Sequence, residues 1–200
     1  MWIGTNDLGG AALLDHAQVR GKTLVDYTSC VFSQLGELYH LGARRFVLLN
    51  IAPLELAPLY SVLGTPGPDR FWLEKGYNLT DIAASMTEEV AAANEIFSLH
   101  AQLAVKNELW GSKIAILNTN GLIRDIYNHP ELYLNGTAPL NVTGYNVHCG
   151  VAGNCFDYRI DDRDAFLWYD ALHPSEQASR VVAREFKATV EGKGKWATYW

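Results

Sequence analysis

Two short runs constrain this chain most, Arg45-Phe-Val-Leu-Leu-Asn-Ile51 and Lys113-Ile-Ala-Ile-Leu-Asn118. Each is apolar on both faces, so each reads as a buried strand of a parallel sheet rather than a strand with one wet side. Parallel neighbours need a long crossover, and amphipathic helices supply it. Residues 21–41 place Leu24, Tyr27, Val31, Leu35, Leu38 and Leu41 at steps of three and four, with Gly42 as the stop. Cys30 is read on that apolar stripe, as a buried free cysteine. A second helix is predicted from a Thr80 cap to about Trp110, with Ile82, Met86, Val90, Ala93, Phe97 and Ala101 on one stripe and Gly111 beyond its end. A short helix near 122–127 closes at Pro130. The last helix is predicted from Pro174, at its first position, to about Val190, with Ala178, Val182, Phe186 and Val190 inward. Trp2-Ile3 is the stub of a strand, and Trp196, Tyr199 and Trp200 form an apolar tail that docks on the body. The pattern predicts an α/β chain with helices on both faces of a parallel sheet.

The 200 residues, 48% hydrophobic and 19% charged, suffice for one domain, 1–200, with a full core. A net charge of −6 argues against nucleic acid or an anionic membrane as the main partner. No apolar run approaches the ~20 residues of a membrane span. Met1-Trp2-Ile3 passes into Gly4-Thr-Asn-Asp7 with no secretory leader between. Three glycosylation sequons nevertheless suggest secretion: Asn78-Leu-Thr80, Asn135-Gly-Thr137 and Asn141-Val-Thr143, where composition alone would give about one. Two segments read as irregular, 52–77 with its four prolines and three glycines, and 133–161. Within the latter, Cys149 and Cys155 bracket a turn of two glycines and an asparagine. Such a turn makes a small-loop disulfide feasible, with two free thiols as the alternative.

The chemistry concentrates in Trp168-Tyr-Asp-Ala-Leu-His-Pro-Ser-Glu-Gln177. Asp170 and His173, three apart before a helix, can form the acid/base half of a nucleophilic hydrolase. At the other end, Trp2-Ile-Gly-Thr-Asn-Asp7 turns at Gly4 into an exposed amide, Asn6. Gly4–Asp7, Asn50–Ala52 and Asn118–Asn120 all fall at the carboxyl ends of strands, where sites in parallel sheets form. The histidines at 16, 40, 100, 129 and 148 show no metal-ligand spacing. Tyr60, Trp72, Tyr133, Tyr145 and Trp168 are open to two readings, a sugar-stacking wall or packing under the long loops.

The segments at residues 4–7 and 169–174 resemble the third and fifth sequence blocks of the GDSL esterases, also called SGNH hydrolases. Leu38–Val47, Ile51-Ala-Pro-Leu54 and Lys113-Ile-Ala-Ile116 extend the resemblance to the plant and fungal branch over almost the whole chain. Within that branch the chain is similar to the acetylesterases of carbohydrate esterase family 16, and Cys149 and Cys155 match a cysteine pair common in the branch.

The resemblance implies a three-layer α/β/α sandwich, flavodoxin-like and doubly wound, here a C-terminal portion without its first strands. It implies a Ser-His-Asp mechanism in which His173 exchanges the serine proton, Asp170 holds the imidazole, and Asn6 donates to the oxyanion. Gly4 permits a tight backbone, and Asp7 stabilises the turn. The serine block lies upstream of the Gly-x-Asn-Asp block, so the expected nucleophile precedes this chain. Ser29, Ser33 and Ser175 are poor substitutes, because none follows a strand at the sheet's carboxyl edge.

The function so implied is hydrolysis of acetyl or acyl esters, with plant polysaccharide as the first substrate considered and no metal or organic cofactor. The implied protein is secreted and, when complete, a monomer. The alternative from another class is a non-catalytic, truncated or degenerate copy acting at most as a binding module.

Overall fold

The two apolar runs do pair in parallel, from Arg45 opposite Lys113 to Leu49 opposite Leu117. They belong to a computed structural model that describes all 200 residues. Its first elements are α1 (Thr5–Leu8), α2 (Leu24–His40), β1 (Arg45–Leu49), α3 (Leu79–Asn107), β2 (Lys113–Leu117) and α4 (Thr119–Asn128). Then come β3 (Asn141–Tyr145), β4 (Val147–Cys149), β5 (Cys155–Asp157), β6 (Phe166–Trp168), α5 (Glu176–Val190) and β7 (Ala197–Tyr199). The residues cluster into two units, one of Met1–Ala52, Glu88–Thr119 and Glu185–Trp200, the other of Pro53–Thr87 and Asn120–Arg184.

In the first unit β7 pairs antiparallel with the far side of β2, Ala115 opposite Tyr199. The aromatic tail therefore docks as a strand, with Ile114 and Trp200 exchanging backbone bonds of 3.1 and 2.9 Å. The Trp2-Ile3 stub lies along the other edge of β1, where Trp2 bridges Leu49 in parallel and the Leu49 N–H donates to the Met1 carbonyl. Met1, Trp2 and Ile3 keep exposed apolar side chains on that edge. Helix α2 starts in a capping box: the Thr23 hydroxyl accepts from the Asp26 N–H while the Asp26 carboxylate accepts from the Thr23 N–H. It stops at Gly42, whose φ of +101° lets the Ala43 N–H turn back to the Leu38 carbonyl. Phe32 and Tyr27 pack against Phe97 of α3, with ring centroids 6.1 and 5.9 Å apart.

Several sequence expectations fail in the helices. Cys30 is exposed and not buried. The buried side of α2 is Thr28, Val31, Phe32 and Leu35, and a residue step of about 100° puts Cys30 on the opposite side. In α5 the predicted inward stripe holds at Ala178 and Val182, but Phe186 is 39% and Val190 61% exposed. Val181, Glu185 and Thr189 are buried instead. A run of four-residue steps drifts about 40° each time, so it leaves the buried face after two turns. The cap of α3 also differs: Asn78, not Thr80, accepts the Asp81 N–H.

In the second unit β6 is wholly buried, and β3 runs parallel to it, Asn141 opposite Phe166. β4 and β5 pair antiparallel and are closed by the Cys149–Cys155 disulfide. The 133–161 segment therefore holds three strands where the sequence suggested an irregular run. They are three to five residues long, too short to display a period. Arg124 of α4 pairs with Glu55 in the long loop before α3. The class is α/β with parallel pairing, as the sequence predicted.

Candidate active site

Strand β6 delivers the chain into a turn built around one carboxylate. Asp170 Oδ1 accepts from the backbone N–H groups of Leu172 and His173 at 2.9 and 2.8 Å. The turn is then pinned from outside: the Tyr169 N–H donates to the His173 carbonyl at 2.8 Å and the Leu59 N–H to the Ala171 carbonyl at 2.7 Å. Asp-Ala-Leu-His folds this way because an aspartate side chain can serve as the acceptor of its own turn. The turn brings His173 Nδ1 to 2.9 and 3.0 Å from the two Asp170 oxygens. A carboxylate only accepts, so Nδ1 carries the proton and Nε2 is left as the base. Asp170 is 6% exposed, whereas the His173 side chain is 58% exposed.

The electrostatics follow from those contacts. Burial pushes the Asp170 carboxyl up, but the bonds it accepts from the His173 ring and from the His173 and Leu172 N–H groups outweigh it, so its pKa is lowered. The bond to Asp170 raises the His173 pKa, while partial burial and the Arg70 charge oppose the rise. An exposed, oriented imidazole of this kind can take up and return a proton near neutral pH.

Pro174 does not open the helix. It bridges Trp168, and Ser175 is the cap, its buried hydroxyl accepting from the Ala178 N–H at 3.1 Å.

The other predicted group lies in the first unit. Gly4 has φ +127°, and a Cβ there would sit 2.2 Å from both Ile51 Cδ1 and Tyr27 Oη. Only glycine fits, for both reasons. The Asp7 and Leu8 N–H groups return to the Gly4 carbonyl, and fully buried Leu8 anchors the short helix. Asn6, its second residue, is exposed as expected. Asn50 and Asn118 bond to each other at 3.0 Å, and the Thr119 hydroxyl donates to Asn50, so this part of the carboxyl edge is a closed structural network.

The sequence is similar to those of several esterases. It is 41% identical over 206 residues to an acetylesterase of Hypocrea jecorina, covering 100% of this chain and 58% of that protein. It is 27% identical over 185 residues to an acetylesterase of Thermothelomyces thermophilus, covering 92% of this chain and 49% of that one. A GDSL esterase/lipase of Arabidopsis thaliana is 26% identical over 158 residues, 78% of this chain and 40% of the relative. The chain is thus similar to esterases of the GDSL/SGNH kind. No protein-family model matches it. It spans a little over half the length of the Hypocrea relative, 58%.

The chain also carries a feature near His173 that the sequence did not reveal. The Phe71 ring meets the imidazole edge-on at 5.4 Å, and Arg70 lies over Phe71 at 4.7 Å. Both sit in a Pro/Gly-rich loop without periodicity, about a hundred positions from His173 in sequence, and only the loop's place after β1 hinted at a role. The aromatic wall resolves as packing at four of five positions: Tyr60, Trp72, Tyr133 and Trp168 are 1–8% exposed. Tyr145 is half-buried and stacks on His148 at 4.2 Å. Of the other histidines, His100 stacks on Phe32 and His129 bonds to Asp125. Of the sequon asparagines, Asn78 and Asn135 are exposed and Asn141 is half-buried, its Oδ1 taken by the Gly144 N–H.

Proposed function

We propose that this chain is the C-terminal portion of a single GDSL-type serine esterase domain acting on acetyl or related acyl esters. His173 Nε2 takes the proton of a serine hydroxyl as the oxygen attacks the ester carbonyl, and then returns it to the departing alcohol. Asp170 fixes the imidazole tautomer and stabilises the imidazolium. Asn6 donates its side-chain N–H to the developing oxyanion, an effect worth about 3 kcal/mol in comparable sites. Water repeats the cycle on the acyl-serine. The serine is supplied by a segment preceding Met1 in a longer protein.

The observation that carries this reading is the Asp170–His173 pair: a backbone-fixed carboxylate, a bonded Nδ1 and a ring open to solvent. The two fungal relatives named acetylesterase favour the acetyl group. A polysaccharide as the alcohol has lost the support of the aromatic wall and remains the first substrate to try. The Cys149–Cys155 bridge and the exposed Asn78 and Asn135 support an extracellular site of action.

The test is hydrolysis of a chromogenic acetyl ester by the protein joined to its preceding segment. His173→Ala is expected to lower kcat on the order of 10³-fold or more. The 200 residues alone are expected to show no rate above their own His173→Ala control. A joined protein in which His173→Ala hydrolyses the ester as fast as its parent contradicts the reading.

A further inference from the structure

Arg70 is unlike four other arginines of its unit. Arg124, Arg159, Arg163 and Arg180 each pair with a carboxylate. The Arg70 guanidinium instead lies 4.7 Å over the Phe71 ring, with Nη1 2.7 Å from Cys149 Sγ and 3.4 Å from Cys155 Sγ. The ring beneath it is itself held. The Phe71 N–H donates to Asp69 Oδ1 at 2.9 Å, and Asp69 and Trp72 exchange two backbone bonds of 3.0 Å. Trp72, 6% exposed, roots that turn in the core. The Phe71 ring also meets the His173 imidazole edge-on at 5.4 Å and 69°. A continuous chain of contacts therefore runs from disulfide to guanidinium to phenyl ring to imidazole.

We infer that Arg70 and Phe71 are positioning residues for His173, and that the Cys149–Cys155 disulfide holds them in place. Phe71 limits the swing of an imidazole that is otherwise 58% exposed and tethered only at Nδ1. Arg70 sets a positive charge beside the ring without a carboxylate of its own to cancel it. Asp170 favours the protonated imidazole, and only the unprotonated ring can accept a proton. The Arg70 charge opposes that pull. The remaining groups that face the site are Tyr145, whose phenol is pushed up by burial and by the charges of Asp69 and Asp170, and His148 stacked on Tyr145. Asp69 and Asp170 are thus the negative charges and Arg70 the positive one. The inference rests on the esterase reading only for the use made of the imidazole.

The experiment reads the imidazole directly, by NMR titration of the His173 Cε1 proton in the 200-residue chain, assigned by its loss in His173→Ala. Arg70→Gln is expected to raise the titration midpoint, and the rise is expected to shrink in 1 M salt, where screening acts over about 3 Å. Phe71→Leu, which removes the ring under the guanidinium, raises it too. Cys149→Ser with Cys155→Ser gives the same rise as Arg70→Gln, and the triple variant gives no more than either. An unchanged midpoint in Arg70→Gln overturns the inference. So does a folded double-cysteine variant with the parent's midpoint. If the double-cysteine variant unfolds, seen as collapse of amide dispersion, Arg70→Gln and Phe71→Leu decide. No turnover is measured, so a failed hydrolysis assay leaves the result readable.

Discussion

Asp170 accepts from two backbone N–H groups and one imidazole within a single four-residue turn, so its charge and its shape can be tested apart. Asp170→Asn keeps an oxygen for the backbone and removes the charge. The Asp170 pKa is lowered in the fold, so its contribution is present above the unfolded value near 3.8 and is lost as pH falls through the folded one. The His173 pKa is raised, so its contribution is fully present below the unfolded value of 6.5 and is lost as pH rises through the folded one. Urea titrations from acid to alkaline pH are therefore expected to show the largest loss in Asp170→Asn between those limits. The loss should be about 1 kcal/mol, kept small by the solvent around His173. A loss that does not vary with pH would mean the charge is not what matters. Gly4→Ala meets both a positive φ and two side chains at 2.2 Å, so it is expected to cost about 2 kcal/mol or more by the same measurement. The Asp170–His173 contact and the tight backbone at Gly4 were legible in the sequence because each is made within a few neighbouring residues. Arg70 and Phe71 were not, because their meeting with His173 is made by the fold alone.

At the scale of elements, the turn that carries His173 is continuous with the start of α5, and Ser175 joins them. Its N–H donates to the Leu167 carbonyl and its hydroxyl caps the helix. Ser175→Ala is expected to destabilise the protein by about 1 kcal/mol in a denaturant melt, the usual worth of a lost N-cap. No change in the midpoint would place the helix start elsewhere. The sequence missed this cap because proline suits the first turn of a helix, and Pro174 precedes the serine. Here Pro174 instead bridges Trp168. Strands β1 and β2 and the long helices were legible because their patterns repeat over several residues. Phe186 and Val190 were misplaced because steps of three and four must be mixed to stay on one face, and a stripe of fours drifted; Cys30 was misplaced because it is one residue, about 100°, from the buried Val31.

For the molecule as a whole, the α/β class and the likeness to esterases were legible, since an ordered set of blocks at fixed spacing is specific where a single residue is not. The division into two units and the short strands of 133–161 were not, because both depend on contacts between segments distant in sequence. The central claim is that Asp170 and His173 serve a serine lying outside these 200 residues. Ser175, two positions from His173, is 1% exposed with its hydroxyl committed to the helix, and Ser61 is 6% exposed with its oxygen accepting the Leu63 N–H. The most direct measurement is covalent labelling of the protein, joined to its preceding segment, with an organic fluorophosphonate, followed by peptide mass spectrometry. The account predicts a single labelled serine in the preceding segment and loss of the label in His173→Ala. Labelling of Ser29, Ser33 or Ser175, or equal labelling with and without His173, would contradict it.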